Sequence, residues 1–362
     1  MIPLVELAPG YSVPRVILGG WQLSAGHSAQ GIEREALFRL WDDSLDRGLN
    51  TFDCADIYTG VEALIGDYVR RRRAAGVALP QVHTKFVPDL AALPRLGRRY
   101  LERVIDRSLQ RLGMERLDLV QFHWWDYAVP RYLDTLGWLG DLVRDGKIRL
   151  VGLTNFDTVR LRECLTTGVP LASVQLQYSV LDQRPARGLD RVADANRVAL
   201  LCYGTLAGGF LSDRWLGAPE PAEAENRSLV KYRLVIDDIG GWPAFQRALA
   251  ALAAIGRRRG VPTAAVAIRW VLEQRGVAAA IVGCRKAEHF RMIESVFGWR
   301  FETTDAKELA DAAGSRPGPQ GDVYEAERIP GGRHAAIMRY DLNAQAMDGV
   351  STTERGDRRR SG

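Results

Sequence analysis

Cysteine is scarce in this chain, and none sits where cysteine chemistry would need it. The four, Cys54, Cys164, Cys202 and Cys284, are scattered through 362 residues and form no CxxC pair. That spacing excludes a disulfide framework, a zinc ribbon and a dithiol redox motif. It predicts reduced, buried thiols in a cytoplasmic protein, with no metal site. No apolar run approaches the ~20 residues of a membrane-spanning helix. The opening MIPLVELAPGYS lacks the basic-then-apolar order of a signal peptide. A basic stripe is missing too, although the net charge is +5 and the pI near 9.1. The dense runs are residues 70–73, late in a helical stretch where the dipole favours cations, and residues 358–360 in the tail. Scattered cations argue against nucleic acid and leave room for a cationic pocket that takes an anionic cofactor. Finally, no GxGxxG follows the first strand-like run, VPRVILGG (13–20), where a Rossmann domain would carry it.

What the chain does contain is alternation. The composition, 46% hydrophobic and 26% charged, suits a large soluble core. Eight strand-like runs are each followed by a stretch of helical periodicity, from residue 13 to about 297. In the first helix Ala36, Leu37, Leu40, Trp41 and Leu45 share one face, and Gly48 stops it. Asp157 is the expected N-cap of a later one. Strand–helix alternation predicts a parallel sheet, either doubly wound or closed as a (β/α)₈ barrel. A count of eight, with no domain break and no Rossmann fingerprint, favours the TIM barrel. Residues 1–303 are read as that barrel domain, with a long loop after strand seven (about 213–242). An extra helix over residues 244–260 follows, with Pro243 at its start. Residues 304–362, richer in Gly, Pro and Arg, are read as a C-terminal extension. Within it 333–343 is expected to dock, 337–342 to act as a lid, and 351–362 to be disordered.

Polar residues end the predicted strands repeatedly: Asp53, Lys85, His123, Asn155, Gln175 and Tyr203. In a barrel those ends meet at one mouth, where catalytic groups gather. Asp53 closes the apolar strand NTFDCA, and Tyr58 lies in the loop just beyond it. A buried carboxylate needs a cationic partner, and Lys85 can supply it. The set suits a carbonyl that receives a hydride, since the alkoxide then needs a proton. Tyr58 would donate it, Lys85 would lower the phenol's pKa, Asp53 would hold Lys85, and His123 would orient the substrate oxygen.

FDCADIY with Glu62 and Gly66 beyond it, then HTKF, QFHWWD, GLTNF, VQLQYS and YGTLAGGFL occur in order, one per strand. Together they resemble the aldo-keto reductase superfamily over about residues 19–297. The resemblance implies a (β/α)₈ barrel that binds NADP(H), less often NAD(H), without a Rossmann fold. It implies the tetrad Asp53, Tyr58, Lys85 and His123, with Tyr58 as general acid and Asp53 also near the cofactor. Thr154, Asn155 and Gln175 would hold the carboxamide, and Tyr203 would stack on the nicotinamide. Leu206, Ala207, Gly208 and Gly209 would present backbone amides to the pyrophosphate, with Arg214 as the nearby cation. Gly20 and Trp21 would lie at the nicotinamide end, and Gly283 and Arg285 at the 2′-phosphate end. Met292 and Ile293, or Glu294 and Ser295 in a register shifted by two, match the adenine contacts. A small carbonyl compound is the implied substrate, against Trp21, Tyr58, His123 and Trp124. Two other readings stay open on the same motifs: a cofactor-binding regulatory subunit with little turnover, and a dehydratase or isomerase.

Overall fold

The computed structural model describes residues 2–25, 27, 33–314 and 318–343. The tail expected to be disordered, 351–362, lies outside them. Two short strands, β1 (Leu4–Ala8) and β2 (Tyr11–Pro14), form an antiparallel hairpin; the run read as 13–20 took in only its last two residues, Val13 and Pro14. Eight parallel strands then close a barrel. They are β3 (Val16–Gly19), β4 (Thr51–Asp53), β5 (Gln81–Phe86), β6 (Leu117–Phe122), β7 (Ile148–Thr154), β8 (Leu171–Gln177), β9 (Ala199–Tyr203) and β10 (Val277–Val282). Buried on both faces, they read as near-continuous apolar runs, VAAAIV in β10 being the plainest.

Helices surround the barrel: α1 (Arg34–Asp46), α2 (Val61–Ala74), α3 (Arg98–Leu112), α4 (Tyr132–Arg144), α5 (Thr158–Leu165) and α6 (Leu189–Ala195), then α7 (Arg227–Asp238), α8 (Gly241–Arg259), α9 (Thr263–Leu272), α10 (Glu288–Ser295) and α11 (Thr303–Ala313). The Asp157 side chain accepts from Arg160 N and caps α5 as expected. Gly66 has a packing reason. A Cβ there would lie 1.8 Å from the Arg111 carbonyl, so only glycine lets α2 and α3 touch. Neighbouring Glu62 is buried, accepting from Thr84 at 2.7 Å and meeting Arg111 at 3.4 Å.

Two segments differ from expectation. The long loop after strand seven contains α7, a twelve-residue helix capped by the Asn226 side chain. The C-terminal extension starts as α11, whose Asp305 pairs with Arg258 and Arg259 of α8. Residues 318–343 then fold back across the barrel mouth. Thr158 N donates to Asp322 at one rim, His334 meets Asp238 of α7, and Asn343 bonds Asp56 and Val87 O at the far rim. In the 337–342 stretch expected as the lid, Tyr340 O accepts from Leu90 N and the Tyr340 ring packs on Trp125 at 5.0 Å. The central contacts come from Tyr324 and Arg328, described below.

Candidate active site

Register sets the site. In the ladder Gly19 pairs with Asp53, Lys85 with Gln121, and Thr154 with Gln175, so side chains from neighbouring strands meet at one level. Lys85 and Asp53, both buried, form a two-pronged ion pair with Nζ–O distances of 2.7 and 2.5 Å. The third ammonium proton goes to Cys54 O at 2.8 Å. Gln175 Nε2 donates to both Asp53 oxygens and to Gln121 Oε1. A buried carboxylate with one cation and an amide on it is well compensated. Burial would push Lys85 down, but Asp53 outweighs it and holds the ammonium above its ordinary range. Gly20 lies so close that a Cβ would sit 2.8 Å from Asp53 O.

Lys85 Nζ stands 4.9 Å from the centre of the Tyr58 ring, and Trp21 packs on that ring at 5.0 Å. The expected lowering of the phenol pKa is not the net result. Burial raises it, and Lys85 offsets only part of the rise. Tyr58 therefore keeps its proton at neutral pH, in the state a proton donor needs.

His123 is buried, with Nδ1 at 3.2 Å from Thr154 O. Burial, aided by the Arg328 charge, lowers its pKa to about 3, so the ring is neutral. A backbone carbonyl can only accept, so the proton sits on Nδ1. Nε2 is then a lone pair, and it has no hydrogen-bond partner among the described residues. Between Tyr58 and His123, only Tyr58 has a proton to give.

Tyr203 donates to Asn155 Oδ1 at 2.8 Å, which fixes its ring beside the end of β7. Asn155 has a φ of 62°, and the loop that follows Tyr203 is left-handed at Gly204, Ala207, Gly208 and Gly209. Successive turns of this kind aim backbone amides at an anion. With the orphaned His123 Nε2 and the Tyr203 ring, they fit an extended nicotinamide dinucleotide. Gly20, Trp21, Thr154, Asn155, Gln175 and Tyr203 would hold its nicotinamide end. Leu206, Ala207 and Gly208 would meet its diphosphate.

Three expected contacts are elsewhere. Trp124 is not at the mouth: it is fully buried in the outer layer, its Nε1 donating to Asp126 O and Val129 O. The mouth-side ring is Trp125, edge-on to His123 at 4.2 Å. Arg214 points outward, 60% exposed, paired with Glu225 and lying over Trp215. At the adenosine end Gly283 packs on the Gln22 side chain, Arg285 is exposed, and Glu294 pairs with Arg47.

The groups missed in the sequence come from the C-terminal crossing and α7. The Tyr324 ring lies 5.6 Å from His123, edge-on. Arg328 donates to the carbonyls of Trp124, Trp125, Asn155 and Tyr324. Neighbouring Glu327 forms a buried pair with Arg184, which also holds Asp182. Among the described residues no helix is long and apolar enough to cross a membrane, and no cluster of ligands could hold a metal ion.

Comparison with known proteins agrees with this geometry. Residues 15–313 match the model of the aldo/keto reductase family. The chain is 30% identical over 311 residues to flagellar radial spoke protein 5 of Chlamydomonas reinhardtii, covering 75% of this chain but only 57% of that protein. It is 25% identical to aldo-keto reductase YhdN of Bacillus subtilis (strain 168), covering 83% of this chain and 90% of that one. The crystal structure of the glycerol dehydrogenase AKR11B4 from Gluconobacter oxydans superposes with a TM-score of 0.72 at 24% identity, covering 90% and 98% of the two chains. The chain belongs to the aldo/keto reductase family.

Proposed function

We propose that the protein reduces an aldehyde or ketone to an alcohol, with the reverse oxidation open to it. The observation that carries the reading is the Lys85–Asp53 pair under the Tyr58 ring, beside a neutral His123 with a free lone pair. The nicotinamide cofactor, NADP(H) in preference to NAD(H), supplies the hydride when bound. Tyr58 gives its proton to the substrate oxygen, and Lys85 stabilises the phenolate left behind. Asp53 keeps Lys85 charged and in place. His123 Nε2 accepts a hydrogen bond from the alcohol's hydroxyl and so orients it. The four buried, unpaired thiols fit a reducing compartment such as the cytoplasm.

The test is NADPH and NADH binding by tryptophan fluorescence, then oxidation of the bound cofactor with a panel of aldehydes and ketones. Tyr58→Phe is expected to keep cofactor binding and lose about 10²–10⁴-fold in kcat. Equal turnover in Tyr58→Phe and wild type removes Tyr58 as the acid. Binding without turnover in wild type favours a second reading, a cofactor-binding subunit. The similarity to a flagellar radial spoke protein supports keeping this reading.

A further inference from the structure

Four cations stand at or near the barrel mouth, and three of them have matched acceptors. Lys85 is held by Asp53 and Cys54 O, Arg184 by Asp182 and Glu327, and Arg328 by four backbone carbonyls. Lys231 of α7 is different. Among the described residues it has no hydrogen bond and no ion pair; its neighbours are ring faces. The ammonium lies 5.0 Å from the centre of Tyr203 and 5.7 Å from those of Tyr232 and Tyr324.

The position is built rather than incidental. Asn226 caps α7, Ser228 bonds His27 across the mouth, and Tyr232 packs into space that a Cβ at Gly204 or Gly208 would fill. Those contacts fix the helix turn that carries Lys231. Burial disfavours its charge, while Glu327 supports it from a distance. Ring faces attract a cation by about 0.5–2 kcal/mol but accept none of its N–H bonds in the plane of a lone pair. A half-buried ammonium with no protein acceptor among the described residues can take an anionic oxygen in place of water.

Direction comes from the rings. Tyr324 touches both ends, 5.7 Å from Lys231 Nζ and 5.6 Å from the His123 ring, and Tyr203 leads to Asn155. Tyr324 thus links the ammonium to His123 of the tetrad, and Tyr203 links it to the nicotinamide end. We propose that Lys231 anchors a carboxylate or phosphate carried by the carbonyl substrate, so that the preferred substrates are anionic aldehydes or ketones. This rests on the reductase reading. The other source of the same chemistry, the cofactor's diphosphate, is separated by the test.

Wild type, Lys231→Met and Lys231→Arg are compared on 4-carboxybenzaldehyde and benzaldehyde with NADPH, and NADPH affinity is measured by fluorescence. The ratio of kcat/KM for the carboxylated over the neutral aldehyde is expected to fall about tenfold or more in Lys231→Met, the size of one charge-assisted hydrogen bond. Lys231→Arg is expected to keep most of that ratio, which also guards against a misfolded Met variant. An unchanged ratio overturns the proposal. So does a weaker NADPH affinity with equal loss on both aldehydes, which assigns the anion to the cofactor. Should wild type reduce neither aldehyde nor any member of the wider carbonyl panel, the reductase reading fails by itself. Calorimetry with terephthalate then decides the anchor: binding lost in Lys231→Met supports it, and binding retained overturns it.

Discussion

The two ends of the barrel are closed by the two ends of the described chain, in opposite ways. The N-terminal hairpin plugs the end where strands begin, with Leu7, Tyr11 and Val13 packed on Ile17, Leu119, Leu201 and Ala279. Its polar contacts are few: Tyr11 shares a hydrogen bond with His83 at 3.1 Å, and Arg149 donates to Gly10 O. The C-terminal crossing covers the end where strands finish, and its central contacts are charged: Arg328 on carbonyls and Glu327 on Arg184. An apolar plug gains stability from water exclusion and needs no specific partner. A charged cover gains little net stability but has few alternative placements, because each charge left unpaired is costly. The lower closure is thus suited to stability, and the upper one to holding Tyr324 and Arg328 against His123.

Breaking the upper closure should have the largest effect. Arg184→Met leaves Asp182 and Glu327 buried without their cation, at a cost of about 3–5 kcal/mol. Thermal or urea unfolding reads this directly. The same variant should lower kcat/KM, because the segment bearing Tyr324 and Arg328 loses its central anchor. A loss of stability with unchanged kinetics would mean that the cover does not shape the site.

Glu327 gives the same comparison a pH signature. Burial would push its pKa up, but Arg184 holds it down, to about 2. An unfolded glutamate titrates near 4.3. The folded value is depressed, so the stabilisation is present above about pH 4.3 and is lost as the pH falls towards 2. In Glu327→Gln that part of the acid dependence should disappear, at a cost near neutral pH of about 1–3 kcal/mol. Unfolding curves from pH 7 to 3 decide it: identical slopes in variant and wild type would remove Glu327 as a source.

These contrasts also explain what could be read from the sequence. Asp53, Lys85 and Gln175 are ionic or amide groups in strands that are buried nearly throughout, and parallel register carries them to one level. The eight-strand closure and the tetrad's assembly were legible for that reason. Beyond a strand's last residue the two-fold alternation ends. β6 stops at Phe122, and the turn alone decides that Trp125, not Trp124, faces His123. Helix α7 left a usable signal, Asn226 as cap with Leu229, Tyr232, Val235 and Ile236 on one face, hidden behind a Pro- and Glu-rich lead-in. The C-terminal crossing left a signal only over 333–343, the stretch expected to dock; Tyr324, Glu327 and Arg328 carried none. It has no periodicity, and its anchor joins residues 143 positions apart.

At the lower end the smallest change gives the cleanest discrimination. Tyr11→Phe removes one hydroxyl and its bond to His83, and should cost about 1 kcal/mol. Burial lowers the His83 pKa to about 3, with the nearby Lys85 charge adding to it, so the ring is neutral at physiological pH with or without Tyr11. Lys85 lies two residues along the same strand, on the same face as His83, which gives the plug a route to the tetrad. If the ends are independent, Tyr11→Phe shifts the melting temperature and leaves the pH profile of kcat/KM where it was. A displaced profile would mean that the plug tunes the charge on Lys85, and the division between a stabilising end and a working end would no longer hold.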